Sequence, residues 1–444
     1  MRKISRISAP NILVTSAIIM IYLAVYWHYW LIKLLGSYVI NTVLPIMILF
    51  FAFYFRECVF PELTGRSKKT IFYLLTSLAL YVFFASISTV IHEERFDNTK
   101  RYFIYIYSPV LIFVSLFWMH AFRKNENIKT ILRTLCLVGL IFSIYVAYIH
   151  LDPDAIDNLP ILETNRGDFM DLTSGYGVGK YGVHRRYTIP GISPIEYGPF
   201  IVPLIFVSIY FAKNSADKMR YFYFCTVLFL SFCALMTVSR GAFLGLIAGI
   251  VYLLWNKWFS FKEKLILFSL GAIAVSSFAT ILIIRLIITF AFFSPMDVSF
   301  IDPTAPQLVS DPRYVDYGET FSQITQHPFL GMGMTNFKTL MGYGKQHSNY
   351  LIVSLGFGVP AGFFYILFIT LLFIMIQKRV KKLGSNKSAR ELGLVLGAGV
   401  VSFMVHLLGA PTDLHYIWVW FGLAGAWLRN CENEQLGKRV TQIG

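Results

Sequence analysis

Long apolar blocks set the strongest constraint on what this chain can fold into. Segments such as Asn11–Tyr26, Ile71–Ile91 and Tyr221–Val238 approach or exceed the roughly 20 residues with which a helix spans about 30 Å of hydrocarbon. Only 14% of the 444 residues are charged, whereas soluble domains hold about 25%. Because a backbone in lipid must satisfy its own hydrogen bonds, these blocks predict an all-α polytopic integral membrane protein.

The blocks divide into about twelve transmembrane helices within a single polytopic domain. One break is forced by length, since a helix over residues 221–256 would be roughly 54 Å long. The chain therefore has to turn near Ser239-Arg240-Gly241, and the stretch 11–55 needs a turn for the same reason. We expect the basic start of the chain to lead into a retained first helix. The domain is 1–444, and the predicted spans are 10–27, 34–55, 70–91, 102–121, 131–149, 195–212, 221–238, 241–256, 265–292, 348–377, 391–408 and 415–429.

The charges predict an orientation with both termini in the cytoplasm. With this orientation, the cytoplasmic segments hold 25 Lys/Arg against 8 Asp/Glu, and the outer segments hold 12 against 16. Lysine and arginine are enriched in this way on the cytoplasmic side of membrane proteins. The same rule explains the net charge of +15, which in a soluble protein would suggest nucleic acid. We therefore expect no nucleic-acid partner.

Two connections are long, 150–194 and 293–347, and both are predicted on the outer face. Every predicted inner loop is short, which leaves no room there for a domain that uses ATP or a nucleotide sugar. The sequence also contains no P-loop and no glycine-rich dinucleotide motif after a strand. Charged residues in outer loops and at span ends are therefore the candidates for chemistry, because charges in a membrane protein are rare and often functional.

Arg240 lies at the tip of the hairpin between two predicted spans. The simpler interpretation is an interfacial arginine whose side chain reaches the lipid head groups. The functional interpretation is an anion site, because a guanidinium beside the N–H groups of a helix start suits a phosphate. Small neighbours on both sides of Arg240 would leave space for such a ligand.

Three further arginines lie in the long outer loops. Arg313 precedes the sequence His327–Gly333, whose dense proline and glycine predict an ordered loop that returns to the membrane. Arg185 and Arg186 precede a Pro-Gly-Ile-Ser-Pro sequence and could add charge to the same outer site. For all three, solvated loop arginines are the alternative interpretation.

His347 comes directly before a late predicted span on the outer side. An interfacial histidine is more often a hydrogen-bonded structural residue. A histidine is nevertheless the natural general base near neutral pH, which makes His347 the candidate base. The group His150, Asp152 and Asp154 could suggest a metal site, but acidic residues are common at loop starts, so we expect no metal.

Three motifs in this order resemble the O-antigen ligase/polymerase superfamily. They are the Ser239-Arg240-Gly241 tip, the outer loop ending in His327–Gly333, and His347–Leu351 followed by Gly358–Gly362. The resemblance covers residues 180–375 by motif, which would be the catalytic region, and the rest of the chain through span count and topology. Each motif alone is weak, and the combination of order, spacing and outer location is what makes the resemblance specific.

The resemblance implies a metal-independent, inverting-type glycosyltransferase of the bacterial inner membrane that works on the periplasmic side. Its donor would be an undecaprenyl-pyrophosphate-linked glycan and its acceptor a glycan or lipid A–core, with a chain-length regulator as a further partner and no cofactor. By motif position, Arg240 and Arg313 would hold the pyrophosphate, and His347 would activate the acceptor hydroxyl. Arg185 or Arg186 would also contact the donor.

One departure from the superfamily pattern concerns the late motif. That motif is often His-Asn, whereas here Ser348 separates His347 from Asn349. The position of the histidine is unaffected, but any role for the asparagine is in doubt. Tyr350 in the same motif is a candidate glycan contact, because aromatic rings stack on sugars.

The choice between polymerase and ligase depends on Arg166. Polymerases of this superfamily carry Arg-x10-Gly patterns in two outer loops, and Arg166 and Gly177 have this spacing in one of them. This favours a polymerase, with Arg166 as a glycan contact, over a ligase that transfers glycan to lipid A–core.

A third hypothesis is a twelve-span transporter or lipid-linked oligosaccharide flippase, which has no need for two long outer loops. A membrane scaffold would leave the outer arginines and histidine unexplained.

Overall fold

The computed structural model describes residues 65–92, 106–118, 124–151, 194–237, 239–260, 312–333, 348–384, 386–409 and 415–443. These residues are almost entirely helical, which confirms the all-α prediction for this part of the chain. The helices are α1 (Gly65–His92), α2 (Ser108–Trp118), α3 (Asn125–Leu151), α4 (Pro194–Asn214), α5 (Asp217–Met236), α6 (Arg240–Trp255), α7 (Pro312–Gln326), α8 (Asn349–Phe357), α9 (Val359–Lys382), α10 (Lys387–Gly409) and α11 (His415–Ile443).

Among the described residues, 5 helices have the length and hydropathy to cross a membrane, namely α1, α3, α5, α9 and α10. Helices α2 and α6 contain shorter apolar segments. The polytopic class is therefore confirmed, whereas the number of twelve spans stays a prediction. The predicted spans 10–27, 34–55 and 265–292, and most of both long outer loops, lie outside the described residues.

The prediction of one continuous span over residues 348–377 was wrong. The structure has two helices there, α8 of 9 residues and α9 of 24 residues, which meet at Gly358. Gly358 has φ 93° and ψ 162°, a conformation that is essentially restricted to glycine. Pro360 follows in the first turn of α9, where a missing N–H is harmless. Hydropathy misses this break because the residues on both sides of it are apolar.

Helix α10 lies at the centre of the described bundle and packs against α4, α6, α8, α9 and α11. Glycines allow its neighbours to come close, since a Cβ on Gly393 would lie 2.1 Å from the Trp427 ring. Gly399 faces the Trp420 indole in the same way, also with a 2.1 Å approach. The Trp427 indole donates a hydrogen bond to the Ala389 carbonyl at 3.0 Å. Small residues at such interfaces are typical of helices that associate in membranes.

Hydrogen bonds join the helix ends that the charge count assigns to the inner face. The Asn256 side chain, at the end of α6, accepts a hydrogen bond from Gln377 Nε2 at 2.9 Å, and its carbonyl accepts one from Arg390 at 2.9 Å. Asn214, at the end of α4, donates to Glu391 at 3.0 Å. The connections that follow α4, α6 and α9 therefore lie at one end of the bundle, which we call the inner end.

The opposite helix ends also contact one another. The Ser88 hydroxyl, near the end of α1, lies within hydrogen-bonding distance of the carbonyls of Leu330 and Gly356. The Ser348 hydroxyl, before α8, donates to the Leu407 carbonyl near the end of α10 at 3.5 Å. These ends form the outer end of the bundle. The charge count predicts that successive helix ends alternate between the two sides of the membrane. The grouping of the described helix ends at two opposite ends of the bundle agrees with that alternation.

A labelling experiment is expected to assign the two ends to the two sides of the membrane. A Phe329→Cys substitution lies at an exposed position of the outer end, and we expect its thiol to react with a membrane-impermeant maleimide in sealed spheroplasts. The Lys381→Cys thiol, exposed at the inner end, should react only after permeabilisation. A chain whose native cysteines are replaced by serine provides the background for both. Labelling of Lys381→Cys in sealed spheroplasts would reverse the proposed orientation.

Candidate active site at the outer end

Hydroxyl groups fix the turn between α5 and α6. Thr237 Oγ1 donates to the Ala234 carbonyl at 2.7 Å and accepts the Ser239 N–H at 3.2 Å. Ser239 is the N-cap of α6, and its Oγ accepts the Ala242 N–H at 3.4 Å. The turn that helix length required is confirmed at this place, and Arg240 is the first residue of α6.

Two glycines let neighbouring helices close on this turn. A Cβ on Gly198 in α4 would lie 2.6 Å from the Ala242 side chain. A Cβ on Gly241 would lie 2.7 Å from Nδ1 of His406 in α10. Real Cβ atoms do not tolerate such distances, so both positions require glycine. The first turn of α6 is therefore held from two sides, by α4 and by α10.

The start of α6 is suited to an anion. The first N–H groups of a helix have no partners within the helix, and the helix dipole adds positive potential there. A guanidinium at the first position would add paired hydrogen bonds to phosphate oxygens. The main chain of Arg240 lies at this helix start, while its side chain lies outside the described part of the chain.

The start of α8 is anchored to α9 and α10. The Tyr350 hydroxyl donates to the Met404 carbonyl of α10 at 3.1 Å, and Asn349 Nδ2 donates to the Tyr365 hydroxyl of α9 at 3.0 Å. These bonds, with the one from Ser348 described above, fix the main chain at the residue after the candidate base. Asn349 is buried and has a structural partner, which supports the doubt about a direct catalytic role for it.

Helix α7 leads into a turn that is hydrogen-bonded to the junction of α8 and α9. The Met332 N–H donates to the Leu355 carbonyl at 2.9 Å, and the Val359 N–H donates to the Pro328 carbonyl at 2.8 Å. The proline and glycine pattern predicted an ordered loop that returns to the membrane; residues 327–333 form an ordered, hydrogen-bonded turn, and the return to the membrane stays a prediction. Through this turn, α7 is attached to the outer end of the bundle.

An open apolar cavity of about 590 Å³ lies against α7, α8, α9 and α10. Phe321 of α7, Ile366 of α9 and Leu408 of α10 contribute to its walls. Ser348 and Tyr350 also line it, so the cavity reaches the start of α8. Tyr350 lines this space, and its hydroxyl is held by α10.

The predicted site residues differ in how far the structure describes them. Arg240 and Arg313 have described main chains, at the first residue of α6 and the second residue of α7, but their side chains lie outside the described part. Tyr350 is described completely. The other candidates, His347, Arg185, Arg186 and Arg166, lie outside the described residues. What the structure brings together is the start of α6, the start of α8 and, through its turn, α7.

Sequence reasoning missed one residue at this end, His406. It lies in the last turn of α10 and is 1% exposed, against the first turn of α6. A histidine inside a predicted span is itself a signal, since ionisable residues within membrane helices are rare and often functional. The sequence motifs did not draw attention to it because it lies outside them.

The O-Antigen ligase family (Wzy_C) matches residues 225–366, about a third of the chain. The match runs from within α5 to within α9 and includes Arg240, Arg313 and His347. It confirms the resemblance to the O-antigen ligase/polymerase superfamily, a family of enzymes involved in glycan transfer. A search among curated proteins found no match to the chain.

Proposed function

We propose that the protein polymerises undecaprenyl-pyrophosphate-linked oligosaccharide repeat units at the periplasmic face of the bacterial inner membrane. The observation that carries this proposal is the meeting of two helix starts at the outer turn of α10, one with Arg240 and one directly after His347. The O-Antigen ligase match over the same segments supports glycan transfer as the chemistry.

The residues at this end can be given roles in one transfer step. The acceptor hydroxyl oxygen attacks the anomeric carbon of the donor, and its proton passes to His347. The bond between that carbon and the pyrophosphate oxygen breaks, and lipid pyrophosphate leaves with the bonding electrons. Arg240 and Arg313 stabilise the charge of the leaving group, and Arg185 or Arg186 contributes further. Attack opposite to the leaving group inverts the anomeric centre.

The same site could serve a ligase, and the acceptor alone separates the two functions. The pair Arg166 and Gly177 favours the polymerase. In the polymerase case, deletion of the gene is expected to leave single repeat units on lipid A–core and no long chains, as gel profiles of extracted lipopolysaccharide would reveal. A strain that keeps long polymer on undecaprenyl pyrophosphate but caps no lipid A–core would instead identify a ligase.

A transporter or flippase is the remaining alternative, because a polytopic helical bundle alone fits that class as well. The decisive experiment mixes the purified full-length protein, in detergent, with the lipid-linked glycan that accumulates in the deletion strain. We expect longer lipid-linked chains to form without ATP and without added metal. An unchanged chain length in this assay, with folded protein, would argue for transport.

A further inference from the structure

The outer turn of α10, residues 405–408, contacts both halves of the candidate site. On one side His406 packs against Gly241 at the start of α6. On another side the Leu407 carbonyl accepts the hydrogen bond from Ser348 at the start of α8. Neighbouring residues on a helix point about 100° apart, so a single turn can touch two different helices. This turn therefore connects the two helix starts.

The contact between His406 and α6 is close and buried. The imidazole occupies the space in which a side chain at position 241 would lie, with a Cβ there 2.7 Å from Nδ1 and 3.4 Å from Cε1. One turn deeper, Ser402 meets Gly245 in the same way, with Oγ 2.8 Å from the Cβ position. Both α10 residues are 1% exposed. Because the ring is buried against Gly241, its volume limits how near the start of α6 comes to α10.

We propose that His406 is a positioning residue, which sets the start of α6 with Arg240 at the distance from the start of α8 that glycan transfer requires. This inference rests on the proposed function, in which Arg240 holds the leaving pyrophosphate and His347 takes the proton. His406 acts through its shape and does not contact the substrate. A misplacement of about 1 Å between reacting groups can lower a rate roughly 100-fold.

The first test is the turnover of a His406→Ala variant with the lipid-linked glycan from the deletion strain as substrate. We expect kcat per folded molecule to fall by about 10- to 100-fold, with KM changed less than about threefold, because binding groups remain and only their alignment is lost. Ser402→Ala is the matched control on the same face of α10, and it should keep kcat within about twofold. His406→Asn retains a planar polar group beside Gly241 and should retain more of the rate than His406→Ala.

The second test asks whether Gly241 and His406 act as a pair. Gly241→Ala alone should inactivate the enzyme, because its Cβ meets the buried imidazole. Combining it with His406→Ala removes the obstacle, so the double variant should be more active than Gly241→Ala. This comparison and His406→Asn decide the question even where His406→Ala alone does not fold.

Three results would overturn the inference. One is a His406→Ala variant with reduced amounts of folded protein but unchanged kcat per folded molecule, which is what a purely structural residue gives. Another is a double variant no more active than Gly241→Ala. The third is a kcat loss no larger than that of Ser402→Ala. Absence of chain elongation by the unchanged protein would instead remove the proposed function itself, so the two failures are distinguishable.

Discussion

An Arg240→Ala variant is expected to transfer glycan about 100- to 1,000-fold more slowly than the unchanged protein, because one group that stabilises the leaving pyrophosphate is lost. The helix start itself should persist, since its cap is formed by the Ser239 hydroxyl. The measurement is kcat with lipid-linked glycan in purified protein, normalised to folded protein. The kcat of Arg240→Lys should lie between that of Arg240→Ala and that of the unchanged protein, because lysine keeps the charge but not the paired hydrogen bonds.

The matched control for this prediction is Arg220→Ala. Arg220 is an exposed arginine in the first turn of α5, at the inner end of the same hairpin. The Arg220→Ala substitution removes the same charge from the opposite end of the bundle, so we expect the kcat of this variant to stay within about twofold of that of the unchanged protein. The site assignment is wrong if Arg240→Ala, Arg313→Ala and His347→Ala all retain full activity.

A Gly358→Ala variant is expected to lose about 3 kcal/mol or more of folding stability. Alanine does not readily adopt the backbone angles of Gly358, and its Cβ would lie almost on the Phe329 carbonyl, 2.1 Å from the oxygen. Relief of this clash requires the junction of α8 and α9 to move away from the turn after α7. That movement also breaks the hydrogen bond from the Val359 N–H to the Pro328 carbonyl.

The measurement for this second prediction is the thermal unfolding midpoint of the purified protein in detergent. Gly384→Ala is the control, since nothing lies within 4 Å of a Cβ at that glycine in the connection between α9 and α10. It should unfold within a few degrees of the unchanged protein. Equal midpoints for Gly358→Ala and the unchanged protein would contradict the described geometry of the junction.

The hairpin between α5 and α6 could be predicted from sequence because a bilayer sets a length that one helix cannot exceed. Residues 221–256 are too long for one span, so a turn had to exist. The charge count also predicted which helix ends lie together, and the contacts between the described helix ends agree with it, while the side of the membrane that each end faces stays a prediction. Both predictions follow from properties of the membrane, which act on every such chain in the same way.

The break at Gly358 could not be predicted from the same information. Both α8 and α9 are apolar. A count of apolar residues along the sequence therefore shows no boundary between them. The break depends on the turn after α7, which approaches from a distant part of the sequence and leaves no space for a side chain at Gly358. His406 was missed for a similar reason, since its importance lies in what it touches and not in a motif.

The candidate site was predictable as a set of positions but not as an arrangement of atoms. The motifs identified the start of α6, the start of α8 and α7, and the structure joins these segments at one end. The roles of all the predicted site residues stay predictions, and among them only Tyr350 has a described side chain; the others are Arg166, Arg185, Arg186, Arg240, Arg313 and His347. The chemistry assigned to them rests on what lipid pyrophosphate transfer requires.

Along α10, glycines specify which neighbouring side chain packs at each position. Gly393 admits only a neighbour placed like Trp427, and Gly399 only one placed like Trp420, while Gly245 of α6 makes room for α10. In hydrocarbon, hydrophobicity does not distinguish one partner helix from another, since lipid is as apolar as any of the helices. Volume is therefore one of the properties that specify the assembly of this bundle, and two sequences with the same hydropathy profile can differ in whether their helices pack together.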